Sequence, residues 1–452
     1  MELFGTAGIR GPITEVTPEL ALAVGRAVGQ EVRTADGEAV VLARDGRETG
    51  EGLLAAVEAG VISAGVDVLR AGQLPTPALA CASQGRFGIV LTASHNPPTD
   101  NGIKLFDDGE EFDQEAERRI EDRVEAGGDP VTWDEWGATE RVDPLGMYRE
   151  TVLAYARNHG TDAAGLTVAV DCGGGMASLA TPQVLDDLGA TVRALNANVD
   201  SHFSARDSKP TPETLSDLRA FVADGPATFG IGHDGDADRI VIVDGDGYVV
   251  HEDTVLAILA EHYTRAHDAT DPVVVTTPNA SGRIDERVVA AGGRVERVRL
   301  GALHEGIAQV RDAGGTVAFA AEPWKHVHPE LGGWIDGVAS AAVFTRLVAA
   351  QGLDSLREPI TERPYRKESV PCPDEDKSEV MARLRSSLPD TFPDAGVETE
   401  HGIRLEFPDG SWTLVRPSGT EPYVRVYAES ETVDQLVGDV TGEIEATVAQ
   451  VC

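Results

Sequence analysis

Three stretches of the chain repeat one pattern of apolar and polar positions. Each has a β-branched apolar run, a glycine-rich polar loop, a helical stretch, then a glycine and a second apolar run. In the first, the run is 39–43, the loop 44–50, the helical stretch extends to 64 and the second run is 65–69. The second uses 166–170, 171–175, a helical stretch to 188, and 189–192. The third uses 272–276, 277–282, a helical stretch to 291, and 292–295. Runs this apolar predict strands covered on both faces, and strand–helix–strand with short loops is a βαβ unit. Three such units at irregular intervals predict three similar α/β domains rather than one continuous barrel. The intervals carry further strands, such as 239–243 before the turn Asp244-Gly245-Asp246-Gly247. After Pro364 the pattern changes. Residues 370–376 read as a linker, followed by a helix over 377–388, short strands near 403–407 and 412–415, a strand over 423–428 and a helix over 432–448. That is a small α+β domain. The predicted domains are 1–145, 146–250 and 251–365, all α/β, and 366–452, α+β.

Composition narrows the classes of function. The chain has 452 residues, enough for several cores, and an ordinary 41% of hydrophobic residues. No run of 18 apolar residues occurs, so no membrane-spanning helix is expected. The N-terminus lacks a basic segment followed by an apolar one, so secretion is not expected. Cys81, Cys172, Cys372 and Cys452 form no close pair, which points to a reducing cytoplasm and no zinc site. The net charge of −38 excludes nucleic acid and acidic membranes as partners. The acid is spread along the chain, and the only lysines are Lys104, Lys209, Lys325, Lys367 and Lys377. An acidic, lysine-poor globular chain suits a high-salt cytoplasm, where salt screens self-repulsion. Each retained lysine then raises the question of why arginine would not serve.

Four motifs carry chemistry. Thr92-Ala93-Ser94-His95-Asn96-Pro97 follows the apolar run 88–91. A serine at a strand's end, beside a histidine and clamped by Asn-Pro, reads as a phosphate carrier. Asp234-Gly235-Asp236-Ala237-Asp238-Arg239 follows the apolar stretch 227–231, and its alternating carboxylates can converge on a hard cation such as Mg²⁺. It is not an EF-hand loop, because Arg239 and Gly245 stand where glycine and glutamate are needed. The alternative is an acidic turn. Arg416-Pro417-Ser418-Gly419-Thr420-Glu421-Pro422, with Arg425 beyond it, offers hydroxyls, backbone N–H groups and guanidinium as a phosphate cradle, or is a decorated hairpin. Glu322-Pro323-Trp324-Lys325-His326 sets a carboxylate, a cation and an imidazole on one loop able to bind sugar hydroxyls and move protons, or is a surface loop with Trp324 packed inward. Phe4-Gly5-Thr6-Ala7-Gly8-Ile9-Arg10-Gly11 is a glycine-rich loop with one arginine, and Arg44-Asp45-Gly46-Arg47 ends the first repeat's strand as a capped loop. Lys104, close after Ser94, fits acid/base work because a lysine pKa can be tuned and arginine's cannot.

In this order, from residue 4 to the last strand, these motifs resemble the α-D-phosphohexomutase family, together with Gly72-Gln73-Leu74-Pro75-Thr76-Pro77. The resemblance implies four domains around a central active-site cleft, the first three of one α/β topology. It implies that Ser94 is a phosphoserine and that Asp234, Asp236 and Asp238 bind one Mg²⁺, with a phosphoserine oxygen completing the site. Arg239 holds the phosphoserine. Arg416, Ser418, Gly419, Thr420 and Arg425 bind the substrate's phosphate. Ser94, His95, Lys104, Arg10 and His326 are the catalytic candidates, and Glu322 and Lys325 face the sugar. The family's sugar loop commonly reads Gly-Glu-x-Ser-Gly-His; here Trp324 and Lys325 replace the Ser-Gly pair. The implied reaction interconverts hexose 1- and 6-phosphates, of glucose, mannose or glucosamine, through a hexose 1,6-bisphosphate that also serves as activator. A metal-dependent sugar phosphatase and a non-catalytic sugar-phosphate sensor are the alternatives. The expected partners are small sugar phosphates, in a cytoplasmic monomer or homodimer. His233, before the metal loop, reads as a structural substitution.

Overall fold

The computed structural model describes every residue except 1, 2, 6, 7, 419, 420 and 452. In the first repeat the strand Ala39–Arg44 pairs in parallel with Asp67–Gln73 on one side and Phe87–Leu91 on the other. Phe87–Leu91 is buried along its whole length and pairs antiparallel with Asp100–Asp107, which pairs with Ile9–Pro12 at the edge. The helices Pro18–Thr34 and Gly50–Ser63 cover one face. They pack at glycine contacts: a Cβ on Gly25 would lie 2.3 Å from the Val57 carbonyl oxygen, and one on Gly60 would lie 2.3 Å from that of Leu22. Their apolar faces meet Val40, Leu42, Ile89 and Leu105 in one core.

The second repeat copies these pairings. Thr167–Asp171 lies parallel to both Thr191–Leu195 and Phe229–His233, and the latter pairs antiparallel with Ile240–Val243. Its helical stretch is broken into a 3-10 turn, Met176–Leu179, and a helix, Thr181–Asp187; Pro182 at the start of the second piece cannot continue the first. In the third repeat Pro272–Thr276 and Arg294–Arg297 pair in parallel, and Thr316–Glu322 and Lys325–Val327 form an antiparallel hairpin. The chain divides into two compact units, one of Met1–Val255 with Ala318–Leu356, the other of Leu256–Val317 with Arg357–Cys452.

The tail is an antiparallel five-stranded sheet in the order Tyr365–Pro371, Tyr423–Glu429, Trp412–Pro417, Ile403–Glu406, Gly396–Glu398. The helices Lys377–Thr391 and Val433–Val451 contribute Val380, Leu384, Val440 and Ile444 to its core. One expectation is corrected. Residues 370 and 371 end an edge strand instead of opening a linker. Residues 366–369 of that strand are exposed and polar, so its solvated edge carries no apolar run. Among the described residues no helix is long and apolar enough to cross a membrane.

Candidate active site

Ser94, the metal loop and the 322–325 turn occupy one topological position. Each follows the third strand of its repeat and leads into the antiparallel fourth. The buried strand Phe87–Leu91 delivers Ser94, itself fully buried, in a left-handed conformation with φ of 52°. The conformation is uncommon for a residue with a Cβ. Ser94 Oγ donates to Asp234 Oδ2 at 2.8 Å and lies 3.3 Å from His95 Nδ1. Gly235 permits this approach, since a Cβ there would lie 2.6 Å from the Ser94 carbonyl oxygen.

Asp234, Asp236 and Asp238 are buried, with one oxygen from each inside a 4.8 Å span. Asp236 Oδ2 accepts from Thr76 Oγ1 at 2.7 Å and Lys104 Nζ at 3.3 Å, and Asp238 Oδ2 accepts from Lys104 Nζ at 2.9 Å. Arg239 Nε stands 3.6 Å from Asp234 and from Asp238. Burial, and then the charges of Asp238 and Asp236, push the Asp234 carboxyl well above the ordinary range. Burial pushes the other two the same way, but Lys104, Thr76 and Arg10 outweigh it at Asp236, as do Lys104, Lys325 and Arg239 at Asp238. Asp236 Oδ1 and Asp238 Oδ1 are buried with no hydrogen-bond donor among the described residues. Orphaned, desolvated oxygens beside a carboxyl whose charge is penalised fit a divalent cation.

The remaining predicted residues fall into three groups. Arg10 Nε and Nη2 are buried without a hydrogen-bond partner among the described residues, and its charge acts on His95, Lys104 and Asp236. Burial, helped by Arg239 and Arg10, lowers His95 to about 3, so its ring is neutral. The Lys104 pKa is shifted upward: burial lowers it, but Asp236 and Asp238 outweigh burial and hold the ammonium above its ordinary value.

The predicted sugar loop is a tight hairpin in which Glu322 faces Lys325 across the register. Trp324 occupies its turn at φ 70°, with its side chain against the second repeat's core of Ala169, Leu215, Leu218 and Val241. The backbone of Ile240 donates to Trp324 O, and Lys325 bridges to Arg239, so hairpin and metal loop are joined. His326 is buried, pairs through Nδ1 with Ser340 Oγ at 3.0 Å, has Nε2 without a hydrogen-bond partner among the described residues, and is lowered by burial to about 3. His233 is a fully buried, bonded histidine, its ring between Arg239 O at 2.8 Å and Thr181 Oγ1 at 3.0 Å.

In the C-terminal sheet Arg416 and Arg425 are cross-strand neighbours. Arg416 Nη2 donates to the Tyr427 hydroxyl at 3.0 Å, while its buried Nε has no hydrogen-bond acceptor among the described residues. Arg425 pairs with Glu421, and buried Ser418 is held through its N–H by Tyr423 O at 2.9 Å. Gly419 and Thr420 lie outside the described residues.

Three contributors have no role assigned to them from the motifs. Thr76 bonds Asp236 through both side chain and backbone. Lys377 Nζ donates to the carbonyls of Ser418 at 2.7 Å and Glu421 at 2.6 Å, tying down the ends of the loop between them. Arg47 is buried beneath Ser94. Thr76 lies in the 72–77 segment that shares the family resemblance, and the rarity of lysine is a signal for Lys377.

The profile of Phosphoglucomutase/phosphomannomutase, alpha/beta/alpha domain I matches residues 1–130, that of alpha/beta/alpha domain II matches 147–247, and that of the C-terminal domain matches 369–446. The chain belongs to the phosphoglucomutase/phosphomannomutase, or α-D-phosphohexomutase, family. Its relatives include a phosphopentomutase of Thermococcus kodakarensis, 42% identical over 96% of this chain and 94% of that one. A probable phosphoglucosamine mutase of Methanopyrus kandleri is 40% identical over the same shares, 96% and 94%. A solved phosphoglucomutase/phosphomannomutase family protein of Burkholderia thailandensis superposes with a TM-score of 0.85 at 26% identity, covering 98% of this chain and 97% of that one. The protein is accordingly a phosphosugar mutase, an isomerase.

Proposed function

We propose that the enzyme interconverts the 1-phosphate and 6-phosphate of a hexose through phosphorylated Ser94. The observation that carries this reading is Ser94 Oγ bonded to Asp234 inside a buried set of three carboxylates, ringed by Lys104, Arg239 and Arg10. A phosphoserine brings roughly −1.5 to −2 charges into that setting. Asp234, Asp236 and Asp238 would hold Mg²⁺. The ion, when bound, supplies charge neutralisation at a transferring phosphoryl group. Arg239 and Arg10 supply guanidinium donors to the phosphoryl oxygens, and Lys104 keeps Asp236 and Asp238 ionised.

In the first half-reaction a sugar hydroxyl oxygen bonds to the phosphorus and the bond to Ser94 Oγ breaks. The hydroxyl's proton passes to a neutral imidazole, His326 or His95, which returns one proton to the departing Ser94 Oγ and is neutral again. The product is a 1,6-bisphosphate. It turns end for end, and Ser94 recovers a phosphoryl group from the other position by the same step in reverse. Arg416, Ser418, Gly419, Thr420 and Arg425 bind the phosphate that stays with the sugar, and Glu322 and Lys325 contact its hydroxyls. The four domains 1–145, 146–250, 251–365 and 366–452 share these tasks, with Ser94 in the first and the metal loop in the second.

The phosphopentomutase relative supports a second reading, in which a pentose phosphate is the substrate of the same chemistry. Turnover of the 1-phosphates of glucose, mannose, glucosamine and ribose, with Mg²⁺ in high KCl, distinguishes the two. Ser94→Ala should abolish interconversion with every sugar while leaving unfolding cooperative. Normal isomer formation in that variant refutes the phosphoserine route, and phosphate release without isomer formation favours a phosphatase.

A further inference from the structure

The loop after Ser94 turns its backbone carbonyls inward onto one side chain. Arg47 is 1% exposed and all five of its guanidinium N–H donors are used. Nη2 donates to Ser94 O and Asn96 O, each at 2.9 Å. Nη1 donates to Pro97 O at 2.5 Å and Asp100 O at 2.9 Å. Nε donates to Asp45 Oδ2 at 2.9 Å. Asp45 in turn accepts from the Arg47 backbone N–H at 3.0 Å and from Thr92 Oγ1 at 2.8 Å. Thr92 Oγ1 accepts the Ser94 N–H at 2.9 Å. The circuit is closed: Ser94's own N–H is held through Thr92 and Asp45, and its own carbonyl through Arg47. The Phe203 ring covers the guanidinium at 5.2 Å.

This circuit surrounds the residue with φ of 52° whose Oγ meets Asp234. A left-handed non-glycine residue persists where its surroundings over-determine it. We propose that Arg47, locked by Asp45 and Thr92, is the positioning residue that holds Ser94 in its left-handed conformation and aims Oγ at the metal loop. It does so without touching substrate. Lysine cannot replace it, because three donors on one nitrogen cannot reach four carbonyls and a carboxylate spread around a planar fork. The proposal rests on Ser94 being the phosphoryl carrier.

The test uses the full-length enzyme with Mg²⁺. Wild type, Arg47→Lys, Arg47→Ala and Thr92→Val are compared for Ser94 phosphate by peptide mass spectrometry, for kcat and KM, and for thermal unfolding. A displacement of Oγ by roughly 1 Å should lower kcat about 100-fold. KM for the sugar phosphate should change little, because Arg416, Ser418 and Arg425 are untouched. Added guanidinium ion, but not urea or ammonium, should restore part of kcat in Arg47→Ala. Thr92→Val, which deletes the Ser94 N–H acceptor and the donor to Asp45 but leaves Arg47 in place, keeps the proposal testable if the arginine variants fail to fold, and should also lower kcat. Arg47→Lys or Thr92→Val with wild-type kcat and full Ser94 phosphorylation overturns the proposal, even if the melting temperature falls. Absence of phosphate on Ser94 in active wild type overturns instead the carrier reading beneath it.

Discussion

Replacing Lys104 by methionine should make the stability of the first unit depend on Mg²⁺. Lys104 is 1% exposed, with Nζ 2.9 Å from Asp238, 3.3 Å from Asp236 and 3.8 Å from Glu111. Its pKa in the fold is raised, so its stabilising contribution is fully present at neutral pH and is lost only as pH rises through the folded value. Two unit charges 4 Å apart interact by about 4 kcal/mol at an effective dielectric of 20. Removing one partner while the carboxylates stay buried costs about 3–5 kcal/mol. Methionine keeps most of the stem's packing, so little of the loss comes from a cavity. Against a total stability of roughly 5–15 kcal/mol the effect is large. Mg²⁺ held by Asp234, Asp236 and Asp238, as proposed, would compete with the Lys104 ammonium for the same carboxylates. The variant should bind Mg²⁺ at least about tenfold more tightly, worth about 1.4 kcal/mol. Equilibrium urea unfolding in high KCl, with EDTA or saturating Mg²⁺, measures both effects. The deficit against wild type should be about 3–5 kcal/mol in EDTA and smaller by about 1.4 kcal/mol or more in Mg²⁺. A variant as stable as wild type in EDTA, or an equal gain from Mg²⁺ in both proteins, refutes the reasoning.

His233 is lowered by burial to about 4, so it stabilises the fold above the unfolded value near 6.5 and loses that contribution as pH falls from there to about 4. The stability difference between wild type and His233→Gln should therefore shrink by about 1.4 kcal/mol per pH unit across that window; a constant difference in urea titrations contradicts it. Lys377→Met removes both donors to the Ser418 and Glu421 carbonyls, so KM for the sugar phosphate should rise about tenfold, a loss of about 1.4 kcal/mol. Ser94 phosphorylation by the bisphosphate should persist, and a fall in kcat with unchanged KM contradicts the assignment. With a net charge of −38, the melting temperature should drop as KCl is diluted from molar to about 0.01 M, where the Debye length reaches about 30 Å. A melting temperature independent of salt shows that electrostatic self-repulsion does not govern the stability of this fold.

The parts of the site that were legible in the sequence are those whose residues are contiguous. Ser94 and the aspartate trio each follow a buried apolar strand, so motif and scaffold can be read together from a single short window. The edge strand Tyr365–Pro371 was not legible, because a solvated edge has no hydrophobic signature. The supports of the site were hidden for a different reason. Arg47 reaches Pro97 fifty residues on, Lys377 reaches Ser418 forty-one residues on, and both bind backbone carbonyls, which every sequence carries and none marks. Thr76 meets Asp236 across 160 positions, a pairing that only the fold creates. The repeat does more than predict sheets, however. Ser94, Asp234 and Trp324 all stand just past the third strand of a repeat, so the three motifs occupy one topological position, repeated three times. The departure of Trp324-Lys325 from the family's Ser-Gly pair then divides into two effects. Trp324 directs its indole into the second repeat's core and fixes the turn to the strand Ile240–Val243, which is a packing role. Lys325 is the half of the pair whose charge acts on Asp238, so a difference in sugar preference produced by this loop should follow Lys325 and not the indole.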